Sequence, residues 1–365
     1  FVDELIPTID YIIKEKGART FGGISVRGDL VDDTRNGILG GLALNGLPEE
    51  NLVAMIPYDG GTTDFTGIAQ EFKNSGADYL VFTMNSPDVP VLIRAVRAIG
   101  YDPGLSGISD LLDKSFVEEF GELENGLIAP SKIANLETSD DPLVKEFVDA
   151  WVADFGDTPS SWNTVGYAQA RVTVEALQNA PALTRDCLEY ALENLTNFET
   201  GVIPPLTFGP NSRQGTRAVG LGMVTPDGVV TLRGFEEIST DVVVAAPACD
   251  VGGAAPGVTA DTVKLGTTTP LTGPAGFAGV PAIDAQNWWF DKVNAAGGVQ
   301  GRQIEMVALD DAYDPGLAQE NVRRLEEQEK IFAISGSVGT PNFVGILPYI
   351  DEHVIPSIGP YAPSN

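Results

Sequence analysis

The sequence predicts an α/β protein of two doubly wound lobes, each a parallel sheet with helices on both faces. Three observations carry that expectation. Short apolar runs of strand length alternate with amphipathic helical patterns along nearly all of the 365 residues. The alternation breaks once, at 239–257, where STDVVVAAPACDVGGAAPG is dominated by small residues, glycine and proline and reads as a linker. A chain this long, with 43% hydrophobic residues, buries enough apolar surface for two domains.

The pattern opens with a helix over 2–16, where Leu5, Ile9, Ile12 and Ile13 share a face and Gly17 stops the run. A buried strand over 20–26, a helix over 31–44 and a strand over 52–57 follow. Asp64 reads as the N-cap of a helix over 65–74 whose apolar face is Phe65, Ile68, Ala69 and Phe72. A strand over 79–84, a helix over 89–99 and a short strand over 105–108 complete a βαβα series, which predicts parallel pairing. Residues 127–134 lead out of it, and three helical patterns come next, at 142–155, 164–179 and 184–195. Stretches 206–209 and 218–235 read as strands, the second turning at Pro226-Asp227-Gly228. Beyond the linker, strands at 262–269, 303–309, 331–335 and 354–358 alternate with helices at 280–296, 315–329 and 341–350. These form a second βα series.

Composition excludes several functions. A net charge of −29, scattered along the chain, argues against nucleic acid and anionic membranes, because both repel such a surface. An acidic secreted protein fits it. No apolar run approaches the roughly 18 residues a membrane span needs. Phe1 opens directly into a helical pattern, so a leader is expected to be cleaved or to lie outside this sequence. Cys187 and Cys249 are too few for a disulfide scaffold. In an oxidising compartment they are open to pairing, which would pin the linker to a helix, and sequence alone leaves this undecided. With His353 as the one histidine, no zinc or other soft-metal site is expected. No nucleophile elbow, P-loop or dinucleotide fingerprint is present, so neither an enzyme nor a cofactor is expected.

One stretch is more specific. Residues 259–315 read TADTVKLGTTTPLTGPAGFAGVPAIDAQNWWFDKVNAAGGVQGRQIEMVALDDAYDP. With PYAPSN at 360–365, TDF at 63–65, GAD at 76–78 and LTFGPNSRQG at 206–215, the chain resembles the type I periplasmic solute-binding proteins of the leucine/isoleucine/valine-binding family. In that family the stretch opens the mature protein, whereas here it follows residue 257, so the chain resembles a circular permutant. The resemblance implies two lobes joined by a hinge. One lobe is 135–205 with 258–365, the other is 1–134 with 206–238, and the linker 239–257 joins the family's usual termini. It also implies a monomeric, extracytoplasmic binding component, periplasmic or secreted and tethered to the cell surface, that works with an ATP-driven (ABC) transporter permease. Its ligand would be a small carboxylate, in the first place a branched-chain or other hydrophobic amino acid, held in the cleft between lobes. The alternatives are a sensor ectodomain and a binder of a carboxylate without an amine.

Ligands of doubly wound sheets lie beyond the carboxyl ends of the strands. The loop over 335–341, SGSVGTP, precedes a helix whose amides and dipole attract an anion. Ser337 and Thr340 add hydroxyls there, and the resemblance puts the ligand's α-carboxylate at Ser337, Gly339 and Thr340. It further assigns head-group contacts to Tyr361, Ala362 and Ser364 and an aromatic wall to Phe277. Trp288 and Trp289 are adjacent on a helix, so at least one belongs to the core. On the opposite lobe Arg27, Asp29 and Leu30, and then Asn85 and Ser86, stand where the family commonly has aromatics. Ser109 occupies the position expected of the carboxylate that pairs a ligand ammonium, with Asp110 one residue away. If Asp110 does not serve, the ligand lacks an α-amino group, because a buried ammonium without a partner costs several kcal/mol.

Overall fold

A computed structural model describes residues 2–28, 30–236, 246–273 and 275–359. The chain divides into two compact units, Phe1–Ser139 with Arg217–Thr240 and Asp140–Thr216 with Asp241–Asn365.

The first unit runs α1 (Val2–Lys16), β1 (Phe21–Val26), α2 (Leu30–Leu44), β2 (Leu52–Tyr58), α3 (Thr66–Ser75), β3 (Tyr79–Thr83), α4 (Val89–Ala98), β4 (Gly104–Gly107), α5 (Lys114–Glu124) and β5 (Ile128–Ser131). β6 (Val219–Thr225) and β7 (Gly228–Glu236) return to the same sheet. Its order is β2-β1-β3-β4-β5-β6-β7, parallel through β5, with β6 and β7 antiparallel. Successive residues of a strand point to opposite faces, so β3 sends Leu80 and Phe82 to one face and Val81 to the other. The former pack with Ile24, Phe65, Phe72, Leu92 and Leu105. Val81 packs with Leu5, Ile9, Ile12, Ile38 and Leu42 of α1 and α2. Both faces are covered, as parallel sheets require.

The second unit contains α6 (Pro142–Phe155), α7 (Ser161–Asn179), α8 (Arg185–Glu193), β8 (Thr262–Thr269), α9 (Gly276–Ala295), β9 (Gln303–Asp310), α10 (Pro315–Glu327), β10 (Ala333–Ser335), α11 (Thr340–Glu352) and β11 (Ser357–Ile358). Its all-parallel sheet has the order β11-β10-β8-β9. Val263, Leu265, Phe290 and Phe332 pack toward α7, α8 and α9, while Val322, Leu325, Ile334, Ile346 and Ile350 form the layer under α10 and α11. Helix starts are fixed locally. Asp141 accepts from Leu143 N, Thr184 from Cys187 N and Asp314 from Gly316 N and Leu317 N, and Ser160 with Asn163 forms a reciprocal capping box. Cys187 and Cys249 are bonded, which pins the segment before β8 to α8. Thr184 Oγ1 to Asp250 O at 2.9 Å and Arg185 N to Ala254 O at 3.0 Å reinforce that attachment.

Several details depart from the sequence expectation. Residues 206–209 form no strand, and 206–216 lies in the second unit rather than with 217–236. Leu206 exchanges both backbone bonds with Phe198, and Phe208 N donates to Leu195 O at 2.9 Å, so this segment is tied to the end of α8. α5 was not expected; Phe116, Val117 and Leu123 supply its apolar stripe. Asp64 Oδ1 accepts from Thr66 N at 2.9 Å, yet the cap position falls on Phe65. α9 begins at Gly276, ahead of the expected 280.

Candidate carboxylate-binding site

In the second unit the chain leaves β8 for α9 and β9 on one side and continues from β10 to β11 on the other. β8 and β10 are neighbours, so the loops after them meet at a topological switch point. The loop after β10 is buried from Gly336 to Gly339. Gly336 has φ of 65°, and a Cβ there would lie 2.4 Å from Gln286 Nε2. Its N–H donates to Ile358 O at 2.9 Å, and its carbonyl accepts from Thr267 Oγ1 at 3.0 Å. Gly339, with φ of 112°, would place a Cβ 2.6 Å from the Tyr313 ring. Glycine is therefore required at both turns.

Gly339 is the N-cap of α11 and supplies no side-chain cap. The first amide to bond back along the helix is Phe343 N, to Gly339 O at 3.0 Å. The amides of Thr340 and Asn342 precede it, while Pro341 contributes none. Beside them Ser337 is 3% exposed, and its Oγ makes no hydrogen bond among the described residues. Thr269 Oγ1, at the end of the neighbouring β8, is in the same condition. A helix terminus and two buried hydroxyl donors, one on each of the segments ending the neighbouring strands β8 and β10, are groups that suit a carboxylate.

Acidic groups nearby are already committed. Burial acts to raise the Asp310 carboxyl, but the Thr272 hydroxyl and the amides of Ala312, Leu271 and Thr272 outweigh it and hold the group below its ordinary value. Burial pushes Asp311 up against the opposing bonds of Asn342, Tyr313 N and Thr268. Asn342 is 2% exposed and lowers the Asp311 carboxyl from nearby, but neither of its amide atoms has a partner in hydrogen-bond geometry among the described residues. The rim is apolar. Phe277 is 69% exposed in the first turn of α9 and meets Trp162 edge-on at 6.2 Å. Trp162 packs on Ala278, Ala282 and Val338. Sequence reasoning missed Trp162; the Ser160–Asn163 box that places it at the start of α7 was the available signal. Trp288 and Trp289 instead join the aromatic cluster of Tyr167, Phe147 and Trp151, and Trp288 Nε1 donates to Asp154 at 2.7 Å. Tyr361, Ala362 and Ser364 lie outside the described residues.

The first unit has its own switch point between β1 and β3. Arg27 follows β1, is exposed and pairs with Asp59 at 2.9 Å. Asp29 lies outside the described residues, and Leu30 is the half-buried first residue of α2. After β3, Asn85 N donates to Tyr58 Oη at 3.0 Å and its amide reaches Asp88 at 3.4 Å, with half-buried Ser86 next to it. Burial, with the Asp88 carboxylate adding to it, holds the Tyr58 hydroxyl far above its ordinary value. The structure thus brings Arg27, Asn85 and Ser86 to adjacent strand ends. Ser109 and Asp110 follow β4, and Asp110 sits within electrostatic reach of Glu4, Asp113 and Lys132. Lys132 is bonded to Glu4 at 2.5 Å. His353 is bound to Glu326 at 2.7 Å and stacked on Tyr349, which gives it a structural place. Among the described residues no three His, Cys, Asp or Glu side chains are grouped to hold a metal.

A periplasmic binding protein family model matches residues 3–228 and 262–365. The Leu/Ile/Val-binding protein homolog 7 of Brucella abortus (strain 2308) is 25% identical over 191 residues, covering 49% of this chain and 46% of that protein. Homolog 8 of Brucella suis biovar 1 is 25% identical over 189 residues, covering 47% and 44%. The chain thus spans about half the length of the curated relatives it matches. A leucine-binding protein from Thermotoga maritima superposes with a TM-score of 0.55 at 17% identity, covering 63% of this chain and 64% of that one. A branched-chain amino acid ABC transporter protein from Thermus thermophilus with bound valine gives 0.56 at 15%, covering 65% of each. A fatty acid ABC transporter substrate-binding protein from Thermomonospora curvata gives 0.56 at 18%, covering 67% and 65%. At these identities the structures show the shared fold. The family match spans most of the chain, and the chain belongs to the periplasmic binding protein family, whose members bind solutes and are not enzymes.

Proposed function

We propose that this chain is the solute-binding component of an ABC importer and captures a small carboxylate-bearing ligand outside the cytoplasm. The observation that carries the proposal is the buried Ser337 hydroxyl, without a partner among the described residues, two positions before the uncapped start of α11 at Gly339. A hydroxyl costs about 1–3 kcal/mol when buried without a partner, and a ligand carboxylate offsets that cost while meeting the positive end of the helix dipole. Phe277 and Trp162 give the same site an apolar border, which favours a hydrophobic ligand body. Relatives described as Leu/Ile/Val-binding make a branched-chain amino acid the first candidate. A second reading, a carboxylate without an amine, is favoured by Ser109 at the position expected to pair an ammonium, and a fatty-acid binder shares the fold.

The partner on this reading is a permease of the same transport system, and the binding protein itself is a monomer. We also read the chain order as rotated relative to the family. Support comes from the opening-like segment at 259–315 and from a family match in two blocks that leaves 229–261 between them. A chain rejoined in the family's order should keep the same ligand affinity. Loss of folding would refute the rotation.

Calorimetric titration with leucine and, separately, with 4-methylpentanoate tests the ligand class. Binding of leucine alone supports the amino-acid reading, and binding of the acid alone supports the second. Tight binding of a ligand without a carboxylate would overturn both.

A further inference from the structure

Between α7, α9 and the sheet of the second unit lies a polar chain in an otherwise apolar layer. Gln286 Nε2 donates to Gln169 Oε1 at 3.2 Å, and Gln169 Nε2 donates to the carbonyl of Gly359 at 2.7 Å. Ser335 Oγ donates to Gln286 Oε1 at 3.0 Å, and the Thr173 and Ser335 hydroxyls are 2.9 Å apart. Gln286, Thr173 and Ser335 are fully buried, and Gln169 is 6% exposed. Two long amides under a site are costly to order and desolvate, so their bonds matter most for what they hold in place.

They hold two turns. Gly336, which leaves β10 toward Ser337 and α11, sits directly on the pair: its Cβ position is 2.4 Å from Gln286 Nε2 and 2.7 Å from Gln169 Oε1. Gly359, which leaves β11 with φ of 60°, is held through its carbonyl and lies against the Gln169 side chain. The turn after β10 also bonds to β11, through Gly336 N to Ile358 O. We infer that Gln169 is a positioning residue that sets the turns after β10 and β11 in mutual register and thereby sets affinity at the site proposed above. This rests on that reading for its effect on ligand, though not for its effect on the turns.

The test compares wild type with Q169M, Q169E and the control I304V in β9. Amide exchange is followed without ligand, and leucine and 4-methylpentanoate are titrated from about pH 5 to about pH 8. Q169M should exchange roughly tenfold faster than wild type across residues 336–343 and 357–359, with I304V unchanged there. It should bind whichever probe wild type binds roughly tenfold more weakly at every pH. Protonated Q169E reproduces the glutamine's donor and acceptor pattern, whereas its carboxylate would face the Gly359 carbonyl. Q169E should therefore match Q169M at the high end of the range and regain affinity toward the low end. A role in stability alone would not produce that pH dependence. Unchanged exchange in both turns of Q169M, or affinity equal to wild type, overturns the inference. If wild type binds neither probe, the functional reading fails and the exchange comparison still decides this one.

Discussion

Replacing Ser337 by alanine should move stability and binding in opposite directions. The hydroxyl is 3% exposed and makes no hydrogen bond among the described residues, so removing it relieves a desolvation cost of about 1–3 kcal/mol. The space left by one oxygen costs back a fraction of that, leaving the ligand-free protein more stable by roughly 1 kcal/mol. A charge-assisted bond to a carboxylate is worth about 1.5–3 kcal/mol, so affinity should fall by roughly 10- to 150-fold. Urea unfolding of ligand-free protein, followed by circular dichroism, measures the first quantity, and calorimetric titration measures the second. A less stable S337A with unchanged affinity would mean that Ser337 is an ordinary packing residue, and the reasoning would be refuted.

Other residues give independent tests. Glu124 at the end of α5 is fully buried with neither carboxylate oxygen bonded among the described residues, and burial pushes its pKa up to about 8. Because the folded value lies above the unfolded one near 4.5, the protein is least burdened below that pH and loses stability as pH rises to about 8. E124Q should therefore gain up to about 5 kcal/mol over wild type above that pH and little in acid, and a pH-independent difference between their unfolding midpoints would count against it. Removing both cysteines (C187A with C249A) opens a link of sequence separation 62 and should cost about 4 kcal/mol in chemical unfolding, whereas an unchanged midpoint would show that the bond constrains nothing. F277A, at a side chain 69% exposed, should leave the melting temperature within a degree or two yet weaken a bulky ligand several-fold. Loss of stability without loss of affinity would remove Phe277 from the site.

Much of the architecture was legible because the two hydrophobic periods are distinct. The β3 strand, as a continuous apolar run over 79–84, and the α1 stripe of Leu5, Ile9 and Ile12 read directly from the sequence, while the split of Leu80 and Phe82 from Val81 between the two faces came from the structure. Pro281 suits a first helical position, but the five residues before it are already helical and pack Gly279 onto the Pro270 carbonyl, so α9 starts ahead of the expected 280. Residues 206–209 read as a strand, but the partner Phe198 and the Leu195 carbonyl, not the segment's own pattern, decide where it belongs. At the site, Ser337, Gly339 and Thr340 were visible as a glycine-rich turn before a helix. Trp162 and the Gln169–Gln286 pair were not, since each contact joins residues far apart in sequence (117 positions for the two glutamines); the capping box beside Trp162 marks a helix start and not its partner Phe277.

The central claim is that the start of α11 holds a carboxylate. Its most direct test is calorimetric titration of wild type, side by side, with leucine, 4-methylpentanoate and 3-methylbutylamine, which keeps the branched body and lacks the acid. The account predicts that at least one of the two acids binds and that the amine does not. Equal binding of the amine, or no heat from any of the three, would contradict it.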